Sequence, residues 1–152
     1  MYEDVLKSIL AGVYIITVED KGKKNGMTAI WVNQVSYDPQ RIMVAVSPLR
    51  RSHDMILASK KFTINVLCEG QEDLARRFGF QTGHEVDKFH EIEVKISSNG
   101  CPILPDIHSY INCKLVDTIK IGDHTLLIGD VQEAKLLRKD AEQLIFRVED
   151  YF

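Results

Sequence analysis

The sequence predicts a mainly β fold: a closed or partly closed antiparallel barrel with a few short helices. Three observations predict it. Runs of β-branched and aromatic residues recur at short intervals, separated by polar turns rich in glycine, proline and aspartate. No strand–helix–strand alternation is long enough for a doubly wound parallel sheet. The chain has 152 residues, 45% of them apolar, which is one domain's worth with its own core. No repeat, low-complexity tract or linker divides it, so a single domain over residues 1–152 is expected.

The elements are expected in this order. A short helix runs from Glu3 to about Ala11, with Leu6, Ile9 and Leu10 as an apolar stripe, until Gly12 breaks it. Val13 to Val18 is a strand. Lys21 to Gly26 is a polar turn, so a hairpin follows, and Met27 to Tyr37 returns as one strand that Asp38-Pro39 ends. Arg41 to Ser47 is a third strand, with Ile42, Val44 and Val46 alternating against Met43 and Ala45. Both sets are apolar, so both faces are expected to be covered. Ser52 is the expected N-cap of a short helix through Met55, Ile56 and Ala58. Phe62 to Leu67 is a strand, Gln71 to Phe78 a helix, and Gln81 to His90 a loop. Ile92 to Ile96 is a short strand, and Cys101 to Asp106 a turn region with two prolines. Two long strands follow, Ile107 to Ile119 and His124 to Leu137, around the turn Ile121-Gly122-Asp123. The first is expected to place Ile107, Ile111, Leu115 and Ile119 on one side. Leu144 to Val148 is expected to finish the sheet.

Composition excludes several classes. Net charge is −3, so no basic field draws nucleic acid. No apolar run of about 18 residues is present to span a membrane. The start of the chain lacks the basic and apolar regions of a secretory signal, so a cytoplasmic protein is expected. Cys68, Cys101 and Cys113 are odd in number and widely spaced, which fits reduced thiols rather than a disulfide or zinc framework. His53, His84, His90, His108 and His124 are scattered, so no metal site is expected. Neither a GxGxxG nor a GxxxxGK[ST] pattern occurs, which leaves a Rossmann site and a P-loop unsupported. No nucleophile elbow is present.

Four stretches could carry chemistry. In Asn25-Gly26-Met27-Thr28-Ala29-Ile30-Trp31, a glycine at a strand start would let a flat ligand approach the backbone, with a hydroxyl and an indole nearby. The same residues also read as a hairpin followed by core. In Ser47-Pro48-Leu49-Arg50-Arg51-Ser52-His53, two guanidiniums and the amides of a helix start suit a phosphate; a solvated turn with a serine cap is the alternative. Asp87-Lys88-Phe89-His90 puts a cation beside an aromatic ring, or forms an exposed loop. Gly122-Asp123-His124-Thr125 sets a histidine at a strand start, able to donate a proton or hydrogen bond into a cleft or to meet a local partner.

Taken in order, these pieces resemble the flavin reductase-like family of FMN-binding split barrels. The resemblance rests on Gly12-Val13-Tyr14-Ile15-Ile16-Thr17, Asn25-Gly26-Met27-Thr28-Ala29 and Gln34-Val35-Ser36-Tyr37-Asp38-Pro39. It continues in Phe62-Thr63-Ile64-Asn65-Val66-Leu67, Asp87-Lys88-Phe89, Gly122-Asp123-His124-Thr125 and Ile128-Gly129-Asp130-Val131. It implies an FMN-binding split β-barrel of antiparallel, Greek-key type. It implies flavin contacts from Asn25, Gly26, Met27, Thr28, Ala29, Ile30, Trp31 and Val32. Phosphate contacts would come from Arg50, Arg51, Ser52 and His53, with Ser47 also binding the cofactor and Lys88 and Phe89 on the ring's other side. His124 would be the catalytic residue, near the flavin face where nicotinamide docks.

FMN is the implied cofactor, with FAD possible, and NADH or NADPH the implied reductant. Hydride would pass from nicotinamide to flavin. Members are usually homodimers, with flavin near the interface. One departure stands out. Where many reductases carry small residues, this chain has Ile30-Trp31, as in a flavoredoxin-like subgroup whose flavin passes electrons to rubredoxin or another redox protein. An electron carrier without nicotinamide chemistry is therefore the alternative reading.

Overall fold

The computed structural model describes residues 2–81 and 87–152. Strands β1 (Tyr14–Asp20) and β2 (Lys23–Ala29) form a hairpin in which Asp20 pairs with Lys23. The turn is only Lys21-Gly22, with φ of 52° and 83°. Two consecutive left-handed residues match the twist of a tight hairpin, so the reversal needs no more chain. Lys23 to Gly26, expected as turn, is therefore paired strand.

The expected single strand Met27–Tyr37 is two. It breaks at Ile30-Trp31, and β3 (Val32–Tyr37) then pairs with β4 (Gln40–Val46). Helix α2 (Arg51–Ser59), strand β5 (Lys61–Val66) and helix α3 (Glu72–Phe80) follow. Next come the two-residue strands β6 (Lys95–Ile96) and β7 (Pro102–Ile103), then the long hairpin β8 (Ser109–Ile121) and β9 (His124–Leu136).

Seven strands join in the order β2-β1-β5-β8-β9-β4-β3, with every pairing antiparallel. β2 and β3 lie on opposite edges of that order, yet only Ile30 and Trp31 connect them. Two linking residues reach about 10 Å at most. The sheet must curl until its edges nearly meet, which makes a barrel. The seam stays partly open: Ala45 N donates to the Trp31 carbonyl at 3.0 Å, while β2 keeps an edge that is not paired with another strand.

The barrel interior is packed by Ile16, Val18, Met27, Val44, Phe62, Ile64 and Leu127, among others. A second cluster, including Val13, Ile15, Leu67, Phe78, Leu104 and Ile107, fills the outer face of β1 and β5 beneath α3 and the 97–107 segment. Strands covered on both faces read as nearly continuous apolar runs, as Tyr14–Val18 and Phe62–Leu67 do. Expected faces on β4 are only half right: Ile42, Val44 and Val46 are buried, but Met43 and Ala45 are half-buried.

Several expectations need correction. Helix α1 is only Glu3–Leu6, and Leu6, Ile9 and Leu10 are exposed. Among the described residues nothing buries its stripe, and the Ser8 hydroxyl donates to the Val5 carbonyl at 2.6 Å, which competes with further helical turns. Leu144–Val148 is not a strand; Leu144 is tied to Leu67 and Val13 by two backbone bonds, and Ile145 and Gln143 form isolated bridges. The Ile92–Ile96 strand shrinks to Lys95–Ile96, whose partner is Pro102–Ile103, inside the expected turn region. Register shifts at Asn112/Cys113 and Leu115/Asp117 break the period of β8. Ile107 and Leu115 are buried, but Ile119 is 46% exposed. Of the expected loop Gln81–His90, residues 82–86 lie outside the described residues; Lys88–His90 form a turn. Among the described residues, no helix is long and apolar enough to cross a membrane, no cluster of potential metal ligands occurs, and all three cysteines are free and buried.

Candidate functional site

A cleft of about 250 Å³ lies at the barrel seam. One wall is the end of β2 and its link to β3, from Met27 to Trp31. Ala45 and Ser47, at the end of β4, form the other, with Arg50 and His124 completing the lining. An edge strand offers a row of backbone N–H and C=O groups. Such a row is suited to a flat heterocycle with alternating donors and acceptors along one edge.

The β2 side chains themselves mostly look away from that task. Met27 and Ala29 belong to the barrel core. Thr28 donates its hydroxyl to the Ala75 carbonyl of α3 at 2.7 Å. Asn25 is buried and donates to the Ser52 hydroxyl at 2.9 Å. Gly26 has a structural reason to be glycine: a Cβ there would lie 2.9 Å from the Phe78 ring. The close approach Gly26 permits is thus to a core phenyl ring. Val32 packs on the barrel core.

The basic turn divides in the same way. Ser47 Oγ accepts from Leu49 N at 3.2 Å, and Arg50 N donates to the Ser47 carbonyl. This turn presents Arg50, half-buried, to the cleft. Helix α2 starts at Arg51 with no side-chain cap. The expected cap, Ser52, is one residue inside the helix, and its hydroxyl faces Asn25. His53 is buried, with Nε2 2.9 Å from Thr125 Oγ1 and Nδ1 3.0 Å from Asp54. Arg51 is half-buried in the first turn. The opening amides of a helix have no intrahelical acceptor and favour an anion, so Arg50 and the start of α2 form the electropositive end of the cleft.

That end is reinforced from α3. Arg50 Nη2 donates to the Gly79 carbonyl at 3.0 Å. Lys88 Nζ donates to the Phe78 carbonyl at 3.0 Å and to the Gly26 carbonyl at 2.9 Å. Carbonyls in the last helical turn lack intrahelical donors and attract cations. Lys88 is buried behind β2 rather than in the cleft. Burial, then the neighbouring Arg50 charge, lowers its pKa to about 8. Phe89 meets Phe78 edge-on at 5.2 Å, so it belongs to the packing beneath the strand.

At the cleft mouth, the Trp31 indole lies 4.9 Å from the His124 ring, and Trp31 is 54% exposed. His124 Nδ1 is 2.7 Å from Asp123. The hydrogen bond to His124, and then its charge, hold the Asp123 carboxyl below its ordinary value. This contact fixes the ring's orientation.

The structure therefore brings Met27–Trp31, Ser47, Arg50 and His124 to one cleft. Asn25, Gly26, Ser52, His53, Lys88 and Phe89 sit behind it. Sequence reasoning missed Ala45 as a wall and Asp123 as the brace of His124. Ala45 was readable as a small residue on the outer face of β4, and Asp123 as the carboxylate beside the histidine. The Phe78 and Gly79 carbonyls left no sequence signal, because any residue supplies a carbonyl.

Comparison with known proteins agrees with this architecture. The chain is 37% identical over 134 residues to the high molecular weight rubredoxin of Moorella thermoacetica, covering 87% of this chain and 58% of that protein. It is 34% identical over 137 residues to the ferric-chelate reductase (NAD(P)H) of Archaeoglobus fulgidus, covering 89% and 80%. The solved structure of the NADH:FAD oxidoreductase of Streptomyces globisporus C-1027 superposes with a TM-score of 0.87 at 27% identity, covering 95% of this chain and 86% of that one. The chain thus spans less than two thirds of the rubredoxin relative's length. The family model described as "Flavin reductase like domain" matches residues 6–152, and with a split barrel of this topology behind that match, the chain belongs to the flavin reductase-like family.

Proposed function

We propose that this chain is one flavin-binding domain that holds FMN in the seam cleft and reduces it with NADH or NADPH. The observation that carries the reading is the cleft's polarity: an edge of β2 backbone along its length, with Arg50 and the start of α2 at one end. That arrangement suits a planar ring joined to a phosphate. The flavin, when bound, supplies the hydride and single-electron chemistry. The protein's part is binding and orientation. The β2 edge aligns the ring, Arg50 receives the phosphate, and His124, braced by Asp123, orients the nicotinamide over the ring. The cleft can take the flavin end of FAD as well, with the adenosine outside. We place the reaction in the cytoplasm, where the reductant is abundant.

A second reading has a specific observation behind it. Trp31 covers the mouth where nicotinamide would enter, and a relative carries the name rubredoxin. On this reading the flavin is a carrier reduced by a protein partner. Anaerobic addition of NADH or NADPH to the flavin-loaded protein separates the two. Rapid bleaching of the flavin absorbance is expected. No bleaching, with fast reduction by a low-potential redox protein, would establish the carrier instead.

We also propose a homodimer. A cleft of about 250 Å³ is smaller than the ~300–1,000 Å³ typical of ligand pockets, so one chain leaves much of a flavin uncovered. Trp31, in its lining, is 54% exposed, and Leu49, next in sequence to the cleft-lining Arg50, is 88% exposed. Sedimentation is expected to give twice the chain mass; a monomer with flavin bound would refute the dimer.

A further inference from the structure

Among the lysines and arginines of the described residues, Lys88 alone is buried. Its ammonium joins two elements, bonding the Gly26 carbonyl of β2 and the Phe78 carbonyl of α3. Arg50 bonds the next carbonyl, Gly79. Two like charges thus sit on consecutive carbonyls, one lining the cleft and one behind it. From α3, Arg77 Nε donates to the Lys88 carbonyl at 2.9 Å. In the same turn, the Asp87 carboxylate accepts from Phe89 N. No carboxylate of the described residues forms an ion pair with Lys88 or Arg50.

We infer that Lys88 is a positioning residue: its ammonium clamps β2 to the end of α3, and a ligand phosphate received beside Arg50 holds the proton on it. The inference rests on the flavin reading above, because the flavin phosphate is the anion. The geometry makes the two events one. Arg50 repels Lys88, and an anion beside Arg50 cancels that repulsion and favours the ammonium. The ammonium in turn keeps the cleft-facing edge of β2 against α3.

Burial, and then the Arg50 charge, bring the Lys88 pKa down to about 8. Below that value the proton is present, and phosphate binds to a site already charged. Above it, binding must restore the proton, so FMN binding takes up a proton and affinity falls as pH rises. The loss approaches tenfold per pH unit until the pKa of the bound state is reached. Riboflavin lacks the phosphate, so its affinity does not follow the same curve.

Flavin-free full-length protein is titrated with FMN and with riboflavin, by quenching of flavin fluorescence, from about pH 7 to about pH 9. Wild type is expected to lose at least about threefold more affinity for FMN than for riboflavin over that range. Lys88→Met should bind FMN more weakly at the lower pH and show no such difference. Lys88→Arg, which keeps its charge throughout, should hold FMN with no pH slope. A purely packing role for Lys88 predicts equal losses for both flavins at every pH, and that result would overturn the inference. Equal pH slopes for the two flavins in wild type would overturn it too, with flavin binding intact. Failure of either flavin to bind at any pH would overturn the flavin reading and the coupling together.

Discussion

Two regions of this molecule are rich in polar side chains, and they are built oppositely. One is a seam on the outer face of β1, β5 and β8, formed by Thr17, Thr63, Asn65, Asn99 and Asn112. Four of these, all except Asn99, are at most 1% exposed. Thr17 donates to the Pro102 carbonyl at 2.6 Å, and Thr63 to Asn112 at 2.7 Å. Asn65 donates to the Ile15 carbonyl and to Thr17, and accepts from Leu104 N. Every partner in this seam is neutral, and it serves to tie the 97–104 segment across the sheet. The other region is the cleft, where Arg50 and Lys88 are cations whose described partners are backbone carbonyls. The contrast shows that burial of polar groups does not mark a site. The proposed site differs in holding cations whose described partners are carbonyls, beside the strand edge of β2.

The largest expected effect breaks the seam. Asn65→Ala removes three hydrogen bonds and leaves the buried Leu104 N without an acceptor. An orphaned buried group costs about 1–3 kcal/mol, so a loss of about 3 kcal/mol in chemical denaturation is expected. FMN affinity, measured where the variant remains folded, should be unchanged. A variant of wild-type stability would show that the seam is not the structural region described.

Gly26→Ala tests where the two regions differ next. Its new Cβ would press on the Phe78 ring, and overpacking costs about 1–3 kcal/mol. Because Gly26 also holds Lys88, flavin affinity should fall with stability. Loss of affinity at unchanged stability would mean that Gly26 serves the ligand directly, as the sequence alone had led one to expect.

Arg50→Ala acts chiefly on the cleft, although it also removes the bond to the Gly79 carbonyl of α3. A hydrogen bond to a charged group contributes about 1.5–3 kcal/mol, so FMN should bind about 10- to 100-fold more weakly. Riboflavin should lose much less. Equal losses in a titration would contradict phosphate contact at Arg50.

Much of this was legible beforehand. Runs such as Phe62–Leu67 and Ile42–Val46 marked strands because β-branched and apolar residues at period two bury one face, although the second face of β4 is only half-buried. The cleft residues Thr28, Trp31, Arg50 and His124 were legible as chemical types in a familiar order. What stayed hidden depends on contacts distant in sequence. Ser52 was a plausible cap, but Asn25, 27 residues away, claims its hydroxyl. Lys88 was readable as a cation, but not as one buried against carbonyls of β2 and α3. The break at Ile30-Trp31 was invisible because no glycine or proline marks it; barrel closure imposes it.

The smallest expected effect concerns Trp31, the residue on which the two functional readings diverge. Its indole is half-exposed and its only described ring contact is His124. An aromatic pair of this kind is worth about 0.5–1.5 kcal/mol, so Trp31→Ala should cost less than about 1.5 kcal/mol of stability. Its consequence for the cleft depends on what the indole covers. If nicotinamide must enter past it, removal widens the mouth, and anaerobic bleaching by NADH should accelerate while flavin dissociates a few-fold faster (about 1 kcal/mol). If the flavin instead exchanges electrons with a protein through that face, removal should slow reduction by the protein donor and leave NADH ineffective. Measuring both reductants on the same variant decides the matter, because a lid and a docking contact change the two rates in opposite directions.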